Sequence, residues 1–435
     1  MGGYRARTET GDSLRSAQPE AIALAKNTPF RLLWAGQSVS VLGTAVTTLA
    51  FPLAAIQELD ATPLQLGVLA AVGVLPPVLI ALPAGALVDR RAKRPLMLLC
   101  HAGRAGLLAT IPLAAVLDVL SMGQLYLIAF LNAVFTVIFD AAYQSYVPVI
   151  VGRDHLMVAN GRISASDGFA QLSGPSLGGF LVGLLSASRA VAVDSLSYLL
   201  AFVLLLFDRT KETTHHQSSG TTFRRQIVEG LTFVFTHRVL RAIACFNATN
   251  AVLLSWSNTV WLLYVVRELG WSSSAAGTVL GIGAAGAIIG GLAAPRIVRR
   301  YGMPRVLLIT ALLDGPGQLP VLLVNPGLGG QAIVCTCYVI LLFGVMVYNT
   351  AQRTYRQLES PEHMLGRVTA SIRWIQWSVA PLGALMAGVT ATVIGLHATI
   401  LLGVVGLTLS VLFLYLSPLL AMARRRPTQP ALQFE

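Results

Sequence analysis

Apolar runs long enough to cross a bilayer recur along most of this chain, separated by short polar turns. They lie near residues 30–57, 65–88, 96–117, 123–147, 160–185, 190–207, 239–266, 273–297, 304–324, 330–352, 367–393 and 395–417, with 190–207 and 304–324 the shortest. A spanning helix needs about 20 mostly apolar residues. The pattern therefore predicts an all-α membrane protein with twelve transmembrane helices. One stretch departs from it. From Asp208 to Thr222 the chain is charged and rich in Ser and Thr. Then Phe223, Ile227, Leu231 and Phe235 recur every four residues, with Arg224, Arg225 and Glu229 elsewhere. This spacing predicts a short amphipathic helix that tethers the chain at the membrane surface.

The punctuation between runs repeats. Gly85-x-x-x-Asp89-Arg90 has a degenerate partner in Gly291-x-x-x-Pro295-Arg296. Pro175, within Gly174-Pro175-Ser176-Leu177-Gly178-Gly179, has its partner in Pro381 of Ala380-Pro381-Leu382-Gly383. Both pairs are offset by 206 residues. A common offset predicts two copies of one helical unit, hence two pseudo-symmetric six-helix bundles with a route between them. The expected division is a tail over 1–29, a bundle over 30–207, a linker over 208–238, a second bundle over 239–418 and a tail over 419–435.

Composition agrees: 11% of the 435 residues are charged, against about 25% in a soluble protein, and mean hydropathy is +0.69. The 40 glycines suit helices that approach closely in lipid. A net charge of +12 suggests a polyanionic partner only until its distribution is read. With both termini in the cytoplasm, nearly all Lys and Arg fall on that side, and only Arg189 and Arg267 fall outside. This is the positive-inside bias, and it accounts for the charge without nucleic acid. The first 25 residues are polar and lack a signal-peptide core, so they are expected to form a cytoplasmic tail. Cys100, Cys245, Cys335 and Cys337 all fall inside predicted spans, and His215-His216 has no further ligands at suitable spacing. Neither a disulfide framework, a metal site nor a cofactor is expected. No G-x-x-x-x-G-K-[ST] loop is present and no enzyme site is visible.

Gly85 to Arg94 closes the short turn after the second span. Gly85 lets another helix approach, Asp89 can sit against a helix N-terminus, and the basic residues can meet a carboxylate or the headgroups. Gly174 and Gly178, one turn apart, form a groove for helix packing, and Pro175 can bend its span. The first segment resembles the loop 2–3 signature of the major facilitator superfamily. Gly85, Leu87, Asp89 and Arg90 match it; Val88 and Ala92 replace small or glycine positions, and Lys93-Arg94 swaps the basic order. The resemblance implies that Asp89, Arg90 and Arg94 latch the halves in the outward-facing state, with Asp140 as an acidic partner. Gly161-x8-Ala170-x3-Gly174-Pro175-x2-Gly178-Gly179 resembles the glycine-proline pattern on span 5 of exporters and antiporters. Phe139-Asp140-Ala141-Ala142-Tyr143-Gln144, Val147-Pro148 and Leu156-Met157-Val158-Ala159-Asn160-Gly161 are similar to the branch containing the enterobactin exporter and macrolide efflux proteins. The Arg-containing span 4 signature of many drug–proton antiporters is absent; Asn132 lies in that span.

In that superfamily spans 1, 4, 7 and 10 face a central cavity, and each carries a polar stripe here. Span 1 groups Gln37, Ser40, Thr44, Thr47 and Thr48; span 4 groups Asn132, Phe135, Thr136, Phe139 and Tyr143. Span 7 groups Asn247, Asn250, Asn258 and Trp261, and span 10 groups Tyr338, Tyr348 and Asn349. Such faces are costly toward lipid and are expected to look inward, as solute contacts or as hydrogen bonds between helices. Four intramembrane charges are candidates for proton coupling: Arg104, Asp167, Asp314 and Arg373. Asp314 stands in Asp314-Gly315-Pro316-Gly317, where a helix irregularity is expected. The expectation is a monomeric exporter of small amphipathic molecules in a bacterial plasma membrane, working by alternating access with proton antiport. A siderophore exporter, a nutrient importer or facilitator, and a non-transporting scaffold are the alternatives.

Overall fold

A computed structural model describes residues 27–152, 155–208, 210, 223–361 and 364–424. Every long element among these residues is a helix. Spans 1 to 6 are Thr28–Gln57, Pro63–Arg90, Lys93–Val116, Met122–Val151, Leu156–Leu185 and Ala187–Leu206. Spans 7, 8, 10, 11 and 12 are Arg238–Arg267, Ser273–Tyr301, Leu328–Glu359, Leu365–Ile394 and Leu396–Ser410. Span 9 is broken into Met303–Ala311 and Pro316–Leu323, which meet at 40°. Eleven helices are thus long and apolar enough to cross a membrane, and the bent pair makes up to twelve. The break falls at the expected Asp314-Gly315-Pro316-Gly317 sequence. Pro175 and Pro381, by contrast, sit inside unbroken helices.

Local chemistry sets the ends. Asn27 Oδ1 accepts from the Phe30 amide at 3.0 Å, and Thr62 and Gln65 form a reciprocal capping box at the start of span 2. Both satisfy amides that a helix leaves unpaired. Gly302, at φ 82°, lets the chain reverse between spans 8 and 9. The predicted amphipathic helix occupies Phe223–Thr236 and packs on span 11. Its buried face is rotated from the expected one: Val234 is buried and Phe235 is exposed. The side chains of residues 223–228 are outside those described.

The pairings repeat between halves. Span 1 packs on spans 5 and 6, span 2 on 4, and span 3 on 4 and 6. Correspondingly, span 7 packs on 11 and 12, span 8 on 10, and span 9 on 10. Two seams join the halves, span 2 with 11 and span 5 with 8. We call the end carrying Thr28 and Arg424 the terminal face, and the opposite end the distal face.

Apolar packing divides along this axis. At the distal end one core draws on both halves, with Leu53, Leu66 and Val182 beside Trp261, Ala276 and Ala387. Toward the terminal face it splits. Phe30, Met97, Phe139 and Tyr146 form a core inside the first half alone, and Leu240, Phe246, Leu307 and Val347 one inside the second. Glycines make the distal seams close: a Cβ built at Gly67 would lie 2.7 Å from Ala384 O, and one at Gly179 3.0 Å from Gly277 Cα. Hydrogen bonds tie the halves at the same end. Gln57 Nε2 donates to Ser273 Oγ at 2.9 Å, and Arg267 Nη2 reaches Asp60 Oδ1 at 2.5 Å and Ala61 O at 3.0 Å. The molecule is sealed distally and parted terminally.

A side chain at Gly388 would meet Pro63 O at 2.8 Å. Gly388→Val is therefore expected to destabilise the protein by about 1–3 kcal/mol through overpacking and to loosen the distal seam. Thermal melting in detergent and faster maleimide labelling of a Val182→Cys reporter, buried in the shared distal core, check this; an unchanged labelling rate would count against the seam.

Candidate functional site

Span 1 reaches span 6 through Gly36 and Gly43. A Cβ built at Gly36 would lie 3.2 Å from Ala201 Cα, and one at Gly43 2.7 Å from Asp194 Oδ1. The face beside these glycines turns into the first half's own core. Ser40 and Thr47 are buried, and Thr44 Oγ1 lies 2.5 Å from the Tyr198 hydroxyl. Of the two uses expected for the stripe on span 1, its middle takes contact between helices. The close approach to span 6 takes its middle, leaving Thr48 exposed and Gln37 half-buried, with Gln37 Oε1 unpartnered among the described residues.

The Arg104 guanidinium lies in that same core. Its Nε donates to Asn132 Oδ1 at 3.1 Å, and its carbon sits 4.0 Å from the centre of the Tyr198 ring, a cation–π contact. His101, one turn earlier, packs on Phe139 with ring centres 4.6 Å apart, and Phe139 stacks on Tyr143 at 5.7 Å. Phe139 is thus buried behind the wall, whereas Asn132 and Tyr143 are half-buried. The Tyr143 hydroxyl has no partner among the described residues.

The second half builds a counterpart with the opposite charge. Asn250 Nδ2 donates to Asp314 Oδ2 at 2.8 Å, and the Tyr348 hydroxyl donates to Asn247 Oδ1 at 3.1 Å. The break in span 9 presents Asp314 here. Trp261 is buried against Tyr338, with ring centres 5.8 Å apart. Asn258 is exposed and Asn349 half-buried. Trp256, on the other side of span 7, donates Nε1 to Thr399 O at 2.9 Å. Asn247, like Phe139, is buried.

Helical phase locates the expected gating residues. Gly85 lies 18 residues, five turns, beyond Gly67 and so on the same face. Gly67 packs on span 11 distally, yet a Cβ at Gly85 would meet nothing within 4 Å. Gly161 stands in the same relation to Gly179 and is equally open. Arg373 precedes Ala384 by 11 residues, about three turns, and is exposed. Asp140 is exposed and Asp167 half-buried. Arg356 lies within Coulombic reach of Arg353 and Arg373. Arg94 donates Nε and Nη2 to the carbonyls of Leu205 at 3.2 Å and Leu206 at 2.9 Å, capping span 6 of its own half. Arg90 is exposed; the side chain of Asp89 lies outside those described.

The expected groove on span 5 receives span 1 of the same half. A Cβ at Gly174 would strike Ala45, and one at Gly178 would lie 3.1 Å from Val46 O, both on span 1 of the same half. Gly179, 100° further round the helix, is the residue that meets span 8. The Pro175 carbonyl faces Gly277.

The seams of spans 2 with 11 and 5 with 8, on a repeat of six helices, point to one family. A model of the Major Facilitator Superfamily matches residues 33–384. The chain belongs to the major facilitator superfamily. This facilitator is similar to the multidrug efflux pump Tap of Mycolicibacterium fortuitum, at 26% identity over 394 residues covering 86% of this chain and 92% of the pump. It is also similar to macrolide efflux protein A of Streptococcus pyogenes, at 22% identity over 391 residues, 86% of this chain and 92% of that protein. Its fold matches that of the nucleoside transporter NupG with a TM-score of 0.71, at 12% identity over 92% of this chain and 100% of NupG. A bacterial homologue of the human lysosomal transporter Spinster gives 0.68 at 17% identity, over 92% and 98%. The facilitator is a multi-pass membrane transporter, not an enzyme.

Three members of the first-half cluster escape a reading of the sequence: His101, Asp194 and Tyr198. Asp194 lies only four residues inside the apolar run 190–207, where an acid resembles a boundary residue. Among the described residues no three His, Cys, Asp or Glu converge as metal ligands, and His215-His216 lies outside those residues.

Removing the Asn250 amide leaves the facilitator's Asp314 without its donor. Asn250→Ala is expected to cost about 1–3 kcal/mol, read as a lower melting temperature in detergent. Asn258→Ala, at an exposed site, is expected to leave it unchanged.

Proposed function

We propose that this facilitator exports small amphipathic molecules by alternating access, coupled to proton antiport. The observation that carries the reading is the cleft, closed at the distal face and parted at the terminal face. Lys and Arg cluster at the terminal ends of the spans, which supports a cytoplasmic terminal face by the positive-inside rule. The cleft then admits solute from inside. Half-buried amides and hydroxyls beside aromatic rings suit a bulky solute with scattered hydrogen-bonding groups. Multidrug and macrolide efflux among the named functions of relatives supports the outward direction. One proton moving down 100 mV releases about 2.3 kcal/mol, enough for a roughly 50-fold solute gradient, since about 1.4 kcal/mol is tenfold.

To release solute outward, the terminal face must close. Gly85 would then receive span 11 as Gly67 does now, and Gly161 would receive span 8 as Gly179 does. Asp140 and Asp167 of the first half would approach Arg353, Arg356 and Arg373 of the second. Asp89 and Arg90 would latch that state, while Arg94 and Gly174, Pro175 and Gly178 hold spans 6 and 5 in place. Gln37, Asn132, Asn258, Tyr338 and Asn349 would offer the solute its polar contacts.

Inside-out vesicles from expressing cells are expected to accumulate a radiolabelled macrolide, and a protonophore is expected to abolish this. Uptake by intact cells without accumulation by inverted vesicles would overturn export. Gly85→Leu should block closure. An overpacking cost of about 1–3 kcal/mol falling on the closed state alone lowers its population roughly 5- to 150-fold. Spin labels on the terminal ends of spans 2 and 11 should then stay at their open separation.

A further inference from the structure

Span 6 holds a carboxyl to which the transport cycle above gives no part. Asp194 is 1% exposed and sits where spans 1, 3 and 6 meet. Gly43 of span 1 makes room for it, and the hydroxyls of Thr44, Thr47 and Ser197 surround it. Ser197 Oγ donates to its Oδ1 at 3.1 Å. The titratable or charged groups around it are Arg104 from span 3 and Tyr198 from span 6 itself, with His101 of span 3 packed on the Tyr198 ring; span 1 brings hydroxyls alone. Span 5 touches span 6 and brings no titratable group to bear on it.

Arg104 is the natural counter-ion, yet it is turned away. Among the described residues no basic group lies within 4.0 Å of Asp194. The guanidinium instead spans the Tyr198 ring and donates to Asn132. A buried carboxylate with no cation in contact is costly, so this arrangement of hydroxyls alone suits the neutral acid. We propose that Asp194 is a proton-binding site of the facilitator, and that Arg104 relays its charge state to Asn132 in the cleft wall. The proposal rests on the antiport reading above.

The relay works as an exchange. When the carboxylate takes a proton it becomes the neutral acid, and Arg104 is free to hold Asn132, as here. When the proton leaves, the anion draws Arg104 across Tyr198, and Asn132 Oδ1 is released to accept from a solute. Proton and solute therefore compete through one guanidinium, which antiport requires. Asp194 lies seven residues beyond Ala187, the distal start of span 6, about 10 Å along the axis, within reach of outside water once the distal seam opens. The present geometry is the proton-loaded state, open to the side where the solute enters.

Proteoliposomes with the purified full chain test this, using radiolabelled erythromycin and an imposed difference of one pH unit. Wild type is expected to accumulate the probe toward about tenfold, the limit for one proton per solute. Asp194→Asn is expected to lose accumulation while still equilibrating the probe, which also reports that it is folded. Asp118→Asn, in a distal turn, is expected to behave as wild type. Infrared difference spectra on pH titration, without any solute, are expected to lose one protonated-carboxyl carbonyl band in Asp194→Asn. If that variant does not fold, Arg104→Gln serves: it should keep the band and lose accumulation. Accumulation by Asp194→Asn equal to wild type, or an unchanged carboxyl band, would overturn the proposal alone. A wild type indifferent to the pH gradient would overturn the antiport reading and the coupling role with it.

Discussion

The two halves are held together by backbones that touch at the distal ends of spans 2, 5, 8 and 11, and the rest of the architecture follows from this. Where Gly67 meets Gly388 and Gly179 meets Gly277, backbone lies against backbone across the seam. In lipid, where helices gain nothing by hiding apolar surface from water, such close approach is the main source of association. It fixes the distance between halves without fixing their angle. The shared core surrounds these contacts and the two private cores lie toward the terminal face, so each half can tilt without breaking its own packing. The recurrence of open glycines 18 residues below the closed ones, at Gly85 and Gly161, gives the same helices a second set of approach points.

Much of this was readable along the chain, and the limits have physical reasons. The offset that relates Gly85 to Gly291 and Pro175 to Pro381 announces a duplicated bundle, because punctuation depends on backbone geometry, which both copies share. The break at Asp314-Gly315-Pro316-Gly317 is legible for the same reason. A stripe is a different kind of signal. Ser40, Thr44 and Thr47 share a face whatever that face meets, and Gly36 and Gly43 decide that it meets span 6. Likewise Gly174 and Gly178 serve span 1, whereas Gly179, one residue on, serves the other half. A difference of 100° separates a strut from a seam, and periodicity alone carries no neighbour's name. Asp194 was hidden for a related reason: nearness to the end of an apolar run makes an acid look solvated until the packing around it is known.

The halves repeat in shape and differ in charge. Span 3 buries the Arg104 cation against Asn132, and span 9 half-buries the Asp314 acid against Asn250. At the terminal ends both halves carry Lys and Arg, and the first half adds the acids Asp140 and Asp167. A duplicated scaffold supplies two surfaces that fit by symmetry. In the closure proposed above, those two acids would meet Arg353, Arg356 and Arg373, which two identical copies could not arrange. The fold rests on the duplication, and the proposed cycle rests on its divergence.

The distal cation completes the argument. Of the two Arg residues at that face, Arg189 is exposed, and Arg267 binds Asp60 and the Ala61 carbonyl across the seam. The Asp60 side chain is 94% exposed, and exposed pairs contribute little net stability. The Gln57–Ser273 bond adds one neutral contact. A seal made of such contacts is specific in register and weak in energy. A buried ion pair in its place would hold the distal face shut against the modest coupling free energies, typically 1–3 kcal/mol, that bound ligands supply. Weakness at this seam is what the proposed alternation between an open terminal face and an open distal face requires.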